Sequence, residues 1–201
     1  MTQSPWLWLI AGPNGSGKST YASNLSSEVE EIVRPDELAY ELSAEKPESV
    51  ALKAGRLAIN RIESLLEEKR SFAIETTLAG RFHLDAAQRA KSDGWNVGIV
   101  YIGLTSPKIA IKRVFLRKLR RGHYVPPADV RRRYRRSLVN LATIYGIADR
   151  LVVLDNSSSR TPMKRLLETN RGQIIFRQRS LPRWLSGALG PILKKRKIQR
   201  R

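Results

Sequence analysis

Gly12-Pro13-Asn14-Gly15-Ser16-Gly17-Lys18-Ser19 has the spacing G-x-x-x-x-G-K-[ST], the phosphate-binding loop of nucleoside triphosphatases and kinases. The residue types follow from the chemistry. Glycines let the backbone curl until successive N–H groups point inward at anionic oxygens. The Lys18 ammonium then reaches the β and γ phosphates of a nucleotide, and the Ser19 hydroxyl sits on its Mg2+. A helix predicted from Ser19 to Leu25 adds the positive end of its dipole. Upstream, Trp6-Leu7-Trp8-Leu9-Ile10-Ala11 is short and wholly apolar, as suits a strand buried on both faces. Strand, glycine loop, helix is the order the motif requires. Gly12 through Ser19, with Thr20, is therefore the expected nucleotide-binding segment, and ATP and Mg2+ are the expected cofactors.

Working outward, Glu31-Ile32-Val33-Arg34-Pro35-Asp36 reads as a second strand ending at Asp36, because proline suits a strand's end but not its middle. Helical spacing from Pro47 to Arg70 puts Leu57, Ile62, Leu65 and Leu66 on one stripe. Ser71 to Glu75 is a third strand, and a helix over Leu84 to Ser92 stops at Asp93-Gly94. Asn96 to Ile102 is a fourth strand. Ser106 caps and Pro107 opens a helix to about Arg121. After the turn Gly122-His123-Tyr124-Val125-Pro126-Pro127, Asp129 helps start a helix through Tyr145, with Val130, Tyr134, Leu138, Leu141 and Tyr145 as its buried stripe. Leu151 to Asp155 is a fifth strand. Beyond Asn156 the pattern weakens to a loop, an edge strand over Gln173 to Gln178, and a short helix or turn over Leu181 to Leu189.

Strands alternating with helices predict a parallel sheet covered on both faces. The fold expected is a three-layer α/β P-loop NTPase with a five-stranded, mostly parallel sheet and a helical, arginine-rich lid. The chain divides into a P-loop kinase-like domain over residues 1–179, with the lid around 106–145, and a basic C-terminal tail over 180–201. Ligands of such sheets bind at the carboxyl ends of the strands. The glycine loop, Asp36, Glu75 and Asp155 all stand at such ends.

Composition narrows the classes. The 201 residues suffice for one core without covalent staples. The absence of cysteine excludes disulfides and thiolate metal sites and fits a reducing cytosol. No apolar run approaches the roughly 18 residues of a membrane span, and no basic flank of a secretory signal opens the chain, so a cytoplasmic protein is expected. The net charge of +19 is uneven: residues 1–75 carry 8 Lys/Arg against 12 Asp/Glu, the remainder 29 against 6. An anionic partner for the C-terminal part is implied: nucleic acid, an acidic protein or a ribosome-like surface.

Asp36 can reach the γ-phosphate region from the neighbouring loop, where a kinase needs a carboxylate to accept a hydroxyl proton. A helix cap for Glu37-Leu38-Ala39 is its other role, compatible with the first. Glu75, followed by Thr76 and Thr77, suits a polyhydroxylated substrate or Mg2+-bound water; otherwise it merely ends a strand. Arg113, Arg117, Arg120 and Arg121 lead into the Gly122 turn, and Arg131, Arg132, Arg133, Arg135 and Arg136 follow it. Two basic helices around a Gly/Pro turn look like a lid closing over triphosphate. Arg113 and Arg117 lie four apart on one helical face, and Arg133 shares a face with Arg136. Arg117 and Arg133 are placed in the catalytic set with Lys18 and Asp36, and most of the others are solvated or bind a partner. His123 in the turn either binds substrate or phosphate, or is structural.

At these residues the chain resembles the zeta-toxin-like P-loop kinases, especially their short bacterial branch. The stretches that carry the resemblance run in order from Ala11–Thr20 through Arg34-Pro35-Asp36-Glu37 and Phe72–Thr77. Gly122–Pro126, Arg133–Leu141 and Asp155-Asn156-Ser157 follow. The resemblance implies a five-stranded parallel core, ATP with Mg2+, and phosphoryl transfer to a small hydroxylated acceptor. In zeta toxins that acceptor is UDP-N-acetylglucosamine, and an antitoxin blocks the nucleotide site. It also implies Asp36 as catalytic base, Glu75 and Thr77 as substrate contacts, and lid arginines as a phosphate clamp. The chain departs from the pattern in being shorter, in carrying Arg121 where the short branch has a second glycine, and in its basic C-terminus. A nucleic-acid-binding ATPase or polynucleotide kinase that uses this basic half is the alternative.

Overall fold

In a computed structural model, residues 4–25, 29–119 and 125–196 are described. The first strand, β1 (Trp6–Ala11), lies at the middle of the parallel part of the sheet. It pairs in parallel with β3 (Phe72–Thr76) on one side and β4 (Asn96–Gly103) on the other. With neighbours on both edges and helices on both faces, it leaves no position for a polar side chain. β2 (Glu31–Val33) extends the parallel ladder beyond β3, and β5 (Arg150–Asp155) extends it beyond β4. Two further strands, β6 (Lys164–Asn170) and β7 (Gln173–Arg177), add on antiparallel, giving the order β2-β3-β1-β4-β5-β6-β7. The sheet is thus mixed and seven-stranded, not five-stranded as expected. β6 escaped notice because its hairpin turn is Arg171-Gly172, both at positive φ, rather than the Asn-Gly pair that signals such a turn.

Helices α1 (Lys18–Leu25), α2 (Pro35–Leu42), α3 (Ala51–Glu67), α4 (Phe82–Ser92), α5 (Pro107–Leu119), α6 (Pro127–Tyr145) and α7 (Arg183–Arg196) complete the described residues, with a 3-10 turn over Pro47–Val50. Residues of α3, α4, α6 and α7 pack on Leu7, Leu9, Phe72, Ile74, Ile99 and Tyr101. Ala22 of α1 packs from the other face on Ile10, Ala73, Val100 and Ile102. The buried stripe of α3 is Ala54, Ala58, Ile62 and Leu65. Leu57 is exposed, which corrects its place in the expected stripe: alanines let this helix lie closer to the sheet than a leucine ridge would. Ile144 joins the expected stripe of α6.

The largest departure is at the C-terminus. Residues 183–196, expected within a tail, form α7, whose Trp184, Leu185, Leu189 and Leu193 are buried in the main core. Those positions recur at helical spacing, but Gly187, Gly190 and Pro191 break the signal that would have revealed them. The Trp184 ring stacks obliquely near Tyr101, with 6.0 Å between centroids, over Gly103, where any Cβ would overlap the indole.

Candidate functional site

The glycine loop bends where it must leave β1. Gly12, Gly15 and Gly17 all have positive φ, at 144°, 71° and 94°. A Cβ on Gly12 would also run into the Ile102 carbonyl, so this position tolerates only glycine. The Gly12 N–H donates to the Thr76 carbonyl (3.2 Å) and the Ser16 N–H to Pro13 (3.2 Å), fixing the loop to β3 and to itself. Two side chains clasp it from outside. Arg113 on α5 donates to the Gly15 carbonyl at 3.2 Å, and Asn156, just after β5, donates to the Ser16 carbonyl at 2.8 Å. Asn156 is itself held by the Met163 N–H. Its role was not legible in the sequence: Asn156 and Ser16 lie 140 residues apart.

Lys18 opens α1. It is buried, and its ammonium donates to the Pro13 carbonyl at 3.2 Å. Burial pulls its pKa below the ordinary lysine value, while the charges of Glu75 and Asp36 push the other way and those of Arg117 and Arg133 add to the burial effect. Those same charged groups line one cleft of about 570 Å³ at the carboxyl ends of the parallel strands. Asn14, Gly15, Gly17, Ser19 and Thr20 form its loop side. Gly12, Pro13 and Ser16, expected in the nucleotide-binding segment, do not line it. The Ser19 hydroxyl donates to Glu75 Oε1 at 3.0 Å. Thr77 lines the cleft beside Glu75, and Arg113, Arg117 and Arg133 reach it from α5 and α6.

Asp36 is in the cleft as well, but not at a strand end. β2 stops at Val33; Arg34 occupies the cap position and Pro35 the first helical one, leaving Asp36 in the first turn of α2. The expected capping role therefore falls away, because proline at the first helical position pre-sets the turn. The carboxylate is instead favoured there by the helix dipole. His123, Arg120 and Arg121 lie outside the described residues. Asp155 does not line the cleft; it accepts the Ser157 N–H at 2.8 Å and the Ser157 hydroxyl.

Arg34, Glu37 and His83 line the cleft without having been singled out. Arg34 donates to Glu37 at 3.1 Å, while its Nε is buried with no partner. His83 Nδ1 meets the Thr76 hydroxyl at 3.1 Å, and that hydroxyl accepts the Leu78 N–H at 2.9 Å. Burial holds the His83 pKa down to about 4, so its imidazole is neutral near pH 7. Having just two histidines in the chain was the one sequence signal that could have drawn attention to it.

The residues present fit a nucleotide with Mg2+. The Asn14 Oδ1 and the Ser16 Oγ are buried in the loop without a partner, and Ser19 and Glu75 offer hard oxygens side by side. Among the described residues no cluster of three His, Cys, Asp or Glu could hold a metal by itself. That suits Mg2+, which binds through one or two protein oxygens plus phosphates.

Comparison with known proteins agrees with this geometry. Residues 1–164 match the sequence family described as zeta toxin. The chain belongs to the zeta toxin family. An uncharacterized protein of Haemophilus influenzae is 31% identical over 123 residues, covering 61% of this chain and 88% of its own length. Among solved structures, AvrRxo1-ORF1:-ORF2 with ATP superposes with a TM-score of 0.64 at 15% identity, over 85% of this chain and 60% of that one. The PezAT toxin–antitoxin system of Streptococcus pneumoniae gives 0.59 at 15% identity, covering 100% and 89%. This chain therefore spans somewhat less than two thirds of the AvrRxo1 chain and nearly all of the PezAT one. No described helix is long and apolar enough to cross a membrane.

Proposed function

We propose that this chain is a kinase that transfers the γ-phosphoryl group of ATP to a hydroxyl of a small acceptor, with a nucleotide sugar as the candidate class. The observation that carries the proposal is that Asp36 and Glu75 share one cleft with Lys18, Arg117 and Arg133. A cleft so furnished has a base for the acceptor and cations for the phosphates. Asp36 accepts the hydroxyl proton as the oxygen attacks phosphorus. Lys18, Arg117 and Arg133 stabilise the charge on the transferring group, and residues 12–20 hold the nucleotide. Glu75 and Thr77 orient the acceptor, and His123, outside the described residues, is proposed for the same role. Mg2+, held by Ser19 and the nucleotide, would neutralise phosphate charge. The basic α5 and α6 act as the lid. By analogy with the PezAT toxin–antitoxin system, the chain is proposed as the toxic half of such a pair, with an acidic antitoxin and a cytoplasmic site of action.

The test is incubation with labelled ATP and a metabolite extract, followed by isolation of the labelled product. Asp36→Ala should lower transfer by about 10²–10⁴-fold, the usual contribution of general base catalysis, while ATP affinity stays close to that of the wild type. Full transfer by the variant would remove Asp36 from the role of base. The alternative, a nucleic-acid-binding ATPase or polynucleotide kinase, is favoured by the excess of 29 Lys/Arg over 6 Asp/Glu beyond residue 75. Label appearing on oligonucleotide ends rather than on a small molecule would decide for it.

A further inference from the structure

From Asn156 to Arg201 the sequence holds 13 Lys/Arg and a single acidic residue, Glu168. Glu168 is buried and already shared by Arg150 (3.2 Å) and Arg165 (2.9 Å). The other cations of this flank thus have no carboxylate available from it. Three of them, Arg177, Arg179 and Lys194, converge on a second cavity of about 730 Å³ between the end of β7 and α7. Ser180 and Ser186 add hydroxyls, and Leu181, Pro191 and Leu193 supply apolar surface. No carboxylate and no aromatic ring lines it, and none of the three cations makes a salt bridge among the described residues. Its lining residues are all distinct from those of the nucleotide cleft. β7 is four strands from β1, or about 19 Å at the usual strand spacing.

We infer that the groove between β7 and α7 binds the phosphodiester backbone of single-stranded nucleic acid. Cations stand on two different elements that wall the groove, so they can contact successive phosphates of one chain, and every charged group in it is cationic. Apolar walls accept sugar and base surfaces that leave the water. With no aromatic ring for bases to stack on, binding is tolerant of sequence and driven by counterion release. A concave groove also suits a linear chain better than a flat lipid surface. In sequence, Lys194 is followed by Lys195-Arg196-Lys197-Ile198-Gln199-Arg200-Arg201, which adds five cations and no acid. This assignment gives the nucleic-acid alternative a surface. It stands apart from the kinase reading, because it uses none of that cleft's residues.

The experiment is fluorescence anisotropy of a labelled single-stranded oligonucleotide of about 20 nucleotides with the full chain, titrated at several salt concentrations. Three phosphate contacts predict that affinity falls roughly 20-fold between about 50 and 200 mM salt. Replacing all three cations (R177Q, R179Q, K194Q) should reduce the slope of log affinity against log salt by about 2, at about 0.7 per contact. A second variant, Gly190→Glu, puts a carboxylate into the groove from a position where a Cβ meets nothing within 4 Å, and should weaken binding without disturbing the helix. ATP affinity, measured in parallel, should stay unchanged in both and so reports that each variant is folded. A wild-type slope in the folded triple variant, or wild-type affinity in folded Gly190→Glu, would overturn the assignment. So would a wild-type protein that ignores the oligonucleotide and binds only vesicles of anionic phospholipid.

Discussion

The β1–α1 corner and the β6–β7–α7 flank lie on one sheet but use charge in opposite ways. Glycine bends the chain in both: Gly12, Gly15 and Gly17 at the corner and Gly172 in the β6–β7 turn sit at positive φ, while Gly103 leaves room for Trp184. At the corner, Lys18 and the arginines of α5 and α6 face Asp36 and Glu75 across a single cleft. On the flank, Arg177, Arg179 and Lys194 face no carboxylate at all. Opposed charges held close together suit a reaction in which a proton leaves and a phosphoryl group arrives. Unopposed cations suit the holding of an anion, and do no chemistry.

If the two regions divide the work in this way, a lesion in the flank should cost stability, and one at the corner should cost turnover. Trp184→Ala empties a large buried site and should destabilise by about 3–5 kcal/mol, read by denaturant unfolding. Activity per folded molecule should be retained. Because the Trp184 Nε1 is buried without a partner, Trp184→Phe should cost clearly less. Equal losses for the two would show that the indole N–H is satisfied after all. Lys18→Ala should lower kcat by about 10²–10³-fold, the scale seen when one charge-stabilising donor is lost, with little loss of stability because it removes a buried cation. Wild-type turnover in that variant would break the comparison at its other end.

His83 sharpens the contrast by pH. Its folded pKa of about 4 lies below the ordinary 6.5, so the unfolded chain takes up this proton first on acidification. Stability from the neutral ring is complete above pH 6.5 and is lost as pH falls towards 4, by up to about 3 kcal/mol. His83→Gln should flatten this part of the stability profile; parallel profiles for the two proteins would place the ring in contact with solvent protons. The smallest effect is expected on the flank. The Arg165 guanidinium lies 4.0 Å from the centre of the Phe176 ring. Phe176→Leu should cost about 0.5–1 kcal/mol beyond the change in burial, measured against the same substitution in an Arg165→Gln background.

Fold class and phosphate site were legible because their signals are local. β1, the glycine loop and α1 follow one another within twenty residues, and the motif demands backbone geometry that only glycine supplies. β3, β4 and β5 were legible as apolar runs of the right length. The second half of the site was less so. Asp36 was marked as a carboxylate near the phosphates, but its position in a helix turn depended on Pro35 starting α2 rather than ending β2, two uses of proline that look alike in one dimension. Asn156 and His83 had no local signature, since an amide clasping a carbonyl 140 residues away leaves no periodic trace.

By itself, the sequence determined that a parallel α/β core presents a triphosphate loop, because steric limits on φ and the burial of continuous apolar runs act over short stretches. It also determined that the C-terminal half is a polycation. Only the tertiary structure decided where that charge resides. α7 folds back to bury Trp184, Leu185, Leu189 and Leu193, which turns an apparent tail into a wall of the core and leaves Arg177, Arg179 and Lys194 around a groove. Packing of this kind depends on surfaces that meet only after the chain has returned on itself, and no window of neighbouring residues contains them.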